Sequence, residues 1–148
     1  MQRVSPRSNK AAGRVIVDLE VANYVDMAMA RRGLLPTDQV RRQTIKGEVD
    51  SGATRLVLPA ALVKELGLPL RESVRERRAD GRIRKRPQAE GVHLELLGRR
   101  GSFAAIVESD GENAVIGRIV LADLDLLVDL QHQRVIPRDP QGPIYEIE

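Results

Sequence analysis

The chain has 148 residues, of which 30% are charged, and its formal net charge is +3 at pH 7. This length allows one domain with a single core, and because only 2% of the residues are aromatic, that core has to be aliphatic. The sequence contains no cysteine, which excludes disulfides, thiolate metal sites and a cysteine nucleophile.

The N-terminal residues 1–13 are polar and without periodicity, and they are predicted to form a disordered arm. They lack the apolar segment of a secretory signal, and no apolar run in the chain approaches the length of a membrane span. We therefore expect a cytoplasmic protein that is not bound to a membrane.

The first regular element is predicted at residues 14–22, where apolar and polar residues alternate as in a half-buried strand. The pattern of residues 23–39 fits either a short helix or an irregular strand, and Gly33 and Pro36 interrupt it. A second strand then leads to Asp50.

Residues 44–68 form the centre of the sequence pattern. Asp50-Ser51-Gly52-Ala53 lies between the predicted strand and the apolar residues 56–58, and Pro59 and Gly67 bracket a predicted helix of about two turns. Because apolar residues flank the turn on both sides, we expect it to enter the core. A carboxylate in such a position requires partners or a function.

A hairpin is predicted after this helix, with its turn at Ala79-Asp80-Gly81. Its arms are polar at nearly every position, so the hairpin should project from the body of the protein with both faces in water. Residues 71–86 contain eight Arg or Lys and three acidic residues, a local charge of +5, which predicts a preference for acidic peptides.

The whole pattern contains about seven short strands, Gly-rich turns and one or two short helices, which is typical of an all-β barrel. Later strands are predicted at 92–96, 102–108, 126–130 and 134–136. Residues 138–148 are interpreted as a C-terminal tail.

Two separated motifs resemble those of one protein family. Residues 49–54 (VDSGAT), with Leu58-Pro59 and residues 66–68, resemble the active-site loop of retropepsin-like (retroviral-type) aspartic proteases. Residues 114–118 (AVIGR), followed by residues 121–129, resemble that family's closing segment. The resemblance covers about residues 14–137 and is to a single-domain, bacterial-type member. It implies a mainly-β fold, a small closed barrel of the acid-protease type, with a flap hairpin where Ala79, Asp80 and Gly81 fall.

The resemblance also implies a reaction. Two carboxylates hydrolyse a peptide bond, because one accepts a proton from water while the other, protonated, polarises the carbonyl. Two carboxylates at close range share one proton, as in aspartic proteases generally. The chain has one Asp-Ser-Gly-Ala sequence, so the active enzyme would be a homodimer in which each subunit contributes Asp50. The substrate would be an extended polypeptide, and no metal or cofactor is implied.

Other residues of the motifs receive roles by the same resemblance. The active-site loop would comprise Ser51, Gly52, Ala53 and Thr54, in which the Ser51 hydroxyl bonds across the dimer and Gly52 lets substrate approach the backbone. Ile116, Gly117 and Arg118 would form the wall behind the loop. Viral enzymes have an aspartate at the position of Thr54, and its ion pair with the residue matching Arg118 is expected to be absent here.

Two alternative functions remain open. The same fold could serve as a non-catalytic module for peptide binding or dimerisation, with Asp50 idle. Residues 71–86 could bind nucleic acid, although no aromatic residue is interleaved for base stacking.

Other candidate residues are interpreted more simply. His93 and His132 are expected to be surface residues rather than catalysts. Asp123, Asp125 and Asp129 are interpreted as a solvated strand face rather than a metal site.

Overall fold

The computed structural model describes residues 14–148. The predicted N-terminal arm, residues 1–13, lies outside the described residues. Across the part that is described, no helix combines the length and apolar character needed to cross a membrane.

The described chain contains nine β-strands and three short α-helices, with a 3-10 helix at Thr37–Gln39. The strands are β1 (Val15–Asn23), β2 (Arg42–Val49), β3 (Leu56–Pro59), β4 (Leu70–Arg77), β5 (Ile83–Leu96), β6 (Arg99–Glu108), β7 (Ala114–Ile116), β8 (Leu126–Asp129) and β9 (Arg134–Pro137). The helices are α1 (Tyr24–Arg31), α2 (Ala60–Glu65) and α3 (Arg118–Leu124).

The strands form a closed barrel. Hydrogen-bonded neighbours follow the order β1-β2-β7-β3-β6-β5, and the pairing of β1 with β5 closes the ring. Strand β4 pairs only with β5, so the β4–β5 hairpin extends from the ring. The predicted mainly-β fold with a small closed barrel is confirmed, with three short α-helices where one or two were expected.

The barrel interior is aliphatic, as the composition requires. Leu19, Leu58, Leu94 and Ile116 are 2% exposed or less, and they come from β1, β3, β5 and β7. Each such side chain contributes about 1.5–3 kcal/mol when it is fully buried.

The ambiguous segment after β1 forms helix α1. Asn23 caps the helix, since its Oδ1 accepts a hydrogen bond from the Asp26 amide at 3.0 Å. The same side chain donates from Nδ2 to the Leu66 carbonyl at 2.9 Å. The Asp26 carboxylate accepts two hydrogen bonds from the Arg41 guanidinium, at 2.8 and 3.0 Å. These contacts fix α1 to the barrel.

Strand β7 determines how the functional loop is placed. It runs parallel to β2, with Gly47 opposite Ala114 and Val49 opposite Ile116, and antiparallel to β3. It therefore lies between two strands that are consecutive in the chain. The loop that joins β2 to β3, residues 50–55, has to cross the end of β7.

The C-terminal residues contact the body of the protein. Arg138 donates two hydrogen bonds to the Asp125 carboxylate, at 2.7 and 3.0 Å, and the Tyr145 hydroxyl donates to the Asp123 carbonyl at 2.5 Å. Buried Arg99 donates to the Asp139 carbonyl. The domain boundary at residue 137 stays a prediction.

Candidate active site

Asp50 is the first residue after β2, and backbone hydrogen bonds hold it there. Its amide donates to the Ile116 carbonyl at 3.1 Å, and its carbonyl accepts from the Ala53 amide at 3.0 Å. Its Oδ1 accepts a hydrogen bond from the Gly52 amide at 2.9 Å. Within residues 14–148, the Gly52 amide is the one hydrogen-bond donor to the Asp50 carboxylate.

The loop around Asp50 lies at the surface of the single chain. Asp50 is half-buried, and Ser51, Gly52 and Thr54 are exposed. The prediction that flanking apolar residues carry this turn into the core is wrong. The apolar side chains of β2 and β3 pack in the barrel, but β2 ends at Val49 and β3 begins at Leu56, so the loop between them lies outside both strands and crosses the end of β7.

Ile116 and Gly117 lie directly behind the loop, where the sequence motif placed them. Ile116 is fully buried. A Cβ atom on Gly117 would lie 2.6 Å from the Arg55 carbonyl oxygen and 2.7 Å from the Thr54 carbonyl carbon, so only glycine permits this approach. The amides of Arg118 and Ile119 donate to the carbonyls of Ala53 and Thr54, both at 2.9 Å.

The Arg118 side chain contacts the loop at two positions. It donates from Nη1 to the Ser51 carbonyl at 3.1 Å and from Nη2 to Thr54 Oγ1 at 3.2 Å. The ion pair of the viral enzymes was expected to be absent at Thr54 and Arg118. In its place, the Arg118 side chain makes two hydrogen bonds to uncharged groups. They connect both ends of the loop to α3.

The predicted hairpin is present as β4 and β5. The Gly81 amide donates to the Arg78 carbonyl at 2.9 Å, and the Arg78 amide donates to the Arg82 carbonyl at 2.8 Å. Gly81 has a φ of 88°, in the region that glycine adopts most readily. The connection is thus a three-residue loop, Ala79 to Gly81. The cross-strand pairs Val74–Arg86 and Glu76–Arg84 are half-buried, whereas most other residues of β4 are exposed. The expectation of a hairpin in water on both faces is therefore wrong for one of its two faces.

A cleft of about 600 Å³ joins the hairpin tip to the loop. Asp50 and Ala53 line one side of it, and Ala79 and Asp80 of the tip line the other. The hairpin tip and Asp50 therefore border the same cleft within one chain. The β6–β7 connection, residues 110–113, also lines the cleft, and the sequence analysis assigned it no part in the site.

A second feature that the sequence analysis missed is an ion pair in the cleft. Arg14 donates to Glu48 from Nε at 3.1 Å and from Nη2 at 2.6 Å. Residues i and i+2 of a strand point to the same face, so the pattern of β2 alone could have placed Glu48 beside Asp50. Arg14 reaches Glu48 because of the β1–β2 register, which pairs Ile16 with Glu48.

The hairpin is held to the barrel by Glu108, at the end of β6. Arg84 donates to Glu108 Oε2 at 2.5 Å and to Glu76 Oε1 at 2.8 Å. Arg86 donates to Glu108 Oε1 at 2.6 Å. Charge-assisted hydrogen bonds of this kind are stronger than neutral ones, so they stabilise the position of the hairpin relative to the barrel.

These ion pairs reduce the positive charge on which the predicted preference for acidic peptides depends, and that preference stays a prediction. Five of the eight cations in residues 71–86 lie within 4.0 Å of a carboxylate of the same chain. Two of the acidic partners, Glu90 and Glu108, lie outside that segment, so the local charge of +5 overstated the field. The nucleic-acid alternative relied on the same charge.

The two histidines differ from each other. His93 is 5% exposed, so the expectation of a surface residue is wrong for it. Burial lowers the pKa of His93, and the nearby charges of Arg31 and Arg100 lower it further. His132 is exposed, as expected, and its Nδ1 lies 2.8 Å from Asp129 Oδ2. His93 pairs with Ala22 and Ser102 in the sheet and does not line the cleft.

The two aspartates that follow α3, Asp125 and Asp129, accept hydrogen bonds from arginine and histidine side chains. Asp125 accepts hydrogen bonds from Arg138, which lowers the pKa of that carboxyl. Asp129 accepts from His132 and Arg134, and the hydrogen bond from His132 is the main reason that the pKa of Asp129 is lowered. Within residues 14–148, no three His, Cys, Asp or Glu side chains are placed to share a metal ion.

Comparisons with known proteins found similarity to solved structures alone. No protein-family model matches the chain, and no curated protein matches it. A solved structure of EIAV protease complexed with the inhibitor HBY-793 is similar to part of the chain, with a TM-score of 0.47 and 20% sequence identity. The match covers 54% of this chain and 76% of that one. An identity of 20% does not establish a family, so the function is argued from the geometry of the site.

Proposed function

We propose that the protein is a homodimeric aspartic endopeptidase and that each subunit contributes Asp50. The observation that carries this proposal is the position of Asp50. A half-buried carboxylate lines a cleft, its Oδ1 accepts a hydrogen bond from the Gly52 amide, and the hairpin tip lines the same cleft.

The chemistry requires a second carboxylate. In the proposed dimer, an ionised Asp50 accepts a proton from water, and the water oxygen adds to the carbonyl carbon of the peptide bond. The protonated Asp50 of the partner donates a hydrogen bond to the carbonyl oxygen as negative charge develops there. The amine leaves after its nitrogen receives the proton that the first Asp50 took from water.

The exposed loop supports a twofold contact at this position. Ser51, Gly52 and Thr54 are exposed in the single chain, and the nearby Ile119 is 47% exposed. A face that meets its own copy about a twofold axis would cover these residues and bring the two Asp50 carboxylates together. Arg118 contributes by holding the loop from both ends.

The substrate in this proposal is an extended polypeptide that lies in the cleft beneath the hairpin. Entry requires the hairpin tip, Ala79 to Gly81, to move away from Asp50 and to return once the peptide is bound. The contacts of Glu108 with Arg84 and Arg86 define the position from which it moves.

Replacement of Asp50 by asparagine tests the proposal. Asp50→Asn is nearly isosteric and keeps an acceptor for the Gly52 amide, so the variant should retain its fold and dimerisation but cleave no peptide. The matched control is Asp110→Asn, because Asp110 also lines the cleft but has no part in the proposed chemistry. Cleavage of a peptide library is measured by mass spectrometry, and circular dichroism reports the fold.

Full activity in the Asp50→Asn variant would exclude an aspartic protease. A wild-type protein that binds peptides in the cleft but cleaves none would instead support the non-catalytic module of the same fold.

A further inference from the structure

We propose that the cleft selects polar side chains next to the cleaved bond and rejects large apolar ones, and that the Arg14–Glu48 pair determines this selection. This inference rests on the proposed function, because it takes the cleaved bond to lie at Asp50. It assigns a specificity role to two residues outside the motifs that define the catalytic loop.

The position of Glu48 carries the argument. Glu48 precedes Asp50 by two residues in an extended segment, so both side chains point to the same face, and both line the cleft. A substrate residue adjacent to a bond at Asp50 therefore lies against Glu48. Arg14 also lines the cleft and holds both carboxylate oxygens of Glu48, at 3.1 and 2.6 Å.

The pair retains contact with water. The Arg14 and Glu48 side chains are 33% and 22% exposed, so N–H groups and lone pairs outside the two hydrogen bonds are still hydrated. An apolar side chain laid over the pair would remove that water and return no hydrogen bond, which is unfavourable. An amide, hydroxyl or charged side chain would replace the lost water contacts.

The remaining cleft surface offers little compensation to an apolar side chain. Its apolar lining residues are all small and include no Leu, Ile, Met or Phe: Ala53, Val57, Ala79, Ala114 and Val115. Most of the other lining residues are charged. A large apolar residue would thus make few apolar contacts here and would instead cover charged groups.

The test compares three proteins on one mixture of peptides. The first is wild type, and the second is the double variant Arg14→Leu with Glu48→Leu, which removes both partners because removal of one would leave the other charge uncompensated. The third is Asp18→Leu with Lys46→Leu, a matched control. That pair joins the same two strands at 2.7 Å but is absent from the cleft lining.

Wild type and the control should prefer polar over large apolar residues flanking the cut by about tenfold or more in kcat/KM, the ratio expected from the cost of burying one unpaired polar group. The double variant should lose or reverse this preference. Equal cleavage of both peptide classes by wild type, or an unchanged preference in the double variant, would overturn the inference.

A binding measurement separates this inference from the proposed chemistry. The Asp50→Asn variant is titrated with two fluorescent decapeptides that differ only in their two central residues, Gln-Asn in one and Leu-Phe in the other. Tighter binding of the Gln-Asn peptide, lost when Arg14→Leu and Glu48→Leu are added, supports a polar cleft even if wild type cleaves nothing. Tighter binding of the Leu-Phe peptide overturns the inference while leaving an active protease intact.

Discussion

Gly117 approaches Arg55 so closely that a Cβ atom on the glycine would lie 2.6 Å from the Arg55 carbonyl oxygen. The φ of Gly117 is −94°, which any residue can adopt. The requirement for glycine therefore comes entirely from the contact with the loop that carries Asp50.

Gly117→Ala should destabilise the fold and displace the Asp50 loop. Backbone atoms cannot move aside as a flexible side chain can, so we expect a loss of about 1–3 kcal/mol, as for other overpacked sites, together with loss of peptidase activity. Urea unfolding and peptide cleavage measure the two effects.

Gly98→Ala is the control for this change. Gly98 has a φ of 77° but open space around it, so the variant reports only the cost of a left-handed alanine, about 1–2 kcal/mol. It should keep its activity. If Gly117→Ala were as active as Gly98→Ala, the close contact would have no role in placing Asp50.

Glu108→Gln should loosen the hairpin. The change removes the negative charge shared by Arg84 and Arg86 while keeping the size of the side chain. Hydrogen exchange across residues 74–86 should accelerate by a few-fold to about tenfold, on the scale of one ordinary hydrogen bond of about 0.5–1.5 kcal/mol, and exchange in β1 and β2 should stay unchanged.

Glu90→Gln provides the comparison for the hairpin. Glu90 is an exposed partner of Arg71 at 3.9 Å, and exposed pairs contribute little. Hydrogen exchange in the Glu90→Gln variant should match that of wild type. A Glu108→Gln protein with wild-type exchange in residues 74–86 would show that other contacts hold the hairpin.

Buried His93 should make the stability depend on pH. Because its pKa is lowered in the folded state, the unfolded chain takes up a proton as pH falls through the ordinary value of about 6.5, and the folded chain takes it up only at a lower pH. The free energy of unfolding should thus decrease as pH falls, by up to about 1.4 kcal/mol per pH unit for one proton. Urea unfolding between pH 8 and 5 measures the slope.

His93→Gln supplies the decisive comparison for this pH dependence. Glutamine cannot take up the proton, so the slope between pH 6.5 and 5 should flatten whatever the stability at pH 8. Parallel slopes for wild type and His93→Gln would contradict the assignment.

Assembly should control activity if each chain supplies one carboxylate. Specific activity should then fall on dilution through the dissociation constant of the dimer, and sedimentation at micromolar concentration should show a dimer. Since the Arg118 side chain supports the exposed loop, Arg118→Gln should weaken dimerisation. A monomer that is fully active at every concentration would contradict the two-chain site.

Several of these features could be predicted from the sequence, because local patterns determine them. Alternation predicted β1, the Asp80-Gly81 pair predicted the hairpin turn, and Pro59 with Gly67 bracketed α2. The α1 segment stayed ambiguous because its fixed position depends on the contacts of Asn23 with Leu66 and Asp26 with Arg41. Those contacts join residues far apart in the chain.

The cleft was harder to predict for the same reason. The flanking apolar residues of the Asp50 loop suggested burial, but strand ends and the position of β7 decide exposure. Glu108 lies far from the hairpin in sequence. The charge summed over residues 71–86 therefore did not include its effect on Arg84 and Arg86. His93 occupies a polar position in an alternating strand, but His93 and its neighbours Val92 and Leu94 are all buried. Both faces of β5 are therefore covered at this point, which alternation does not reveal.

The placement of β7 between β2 and β3 has a consequence for synthesis of the protein. The ribosome delivers β2, the Asp50 loop and β3 well before residues 114–118, yet those later residues supply the hydrogen bonds that support the loop. Contacts between residues so distant in sequence form late, because the long intervening loop has to close first. A growing chain thus carries an unsupported Asp50 until β7 inserts. In the proposed protease, this order of assembly delays proteolytic activity until most of the described chain has been made.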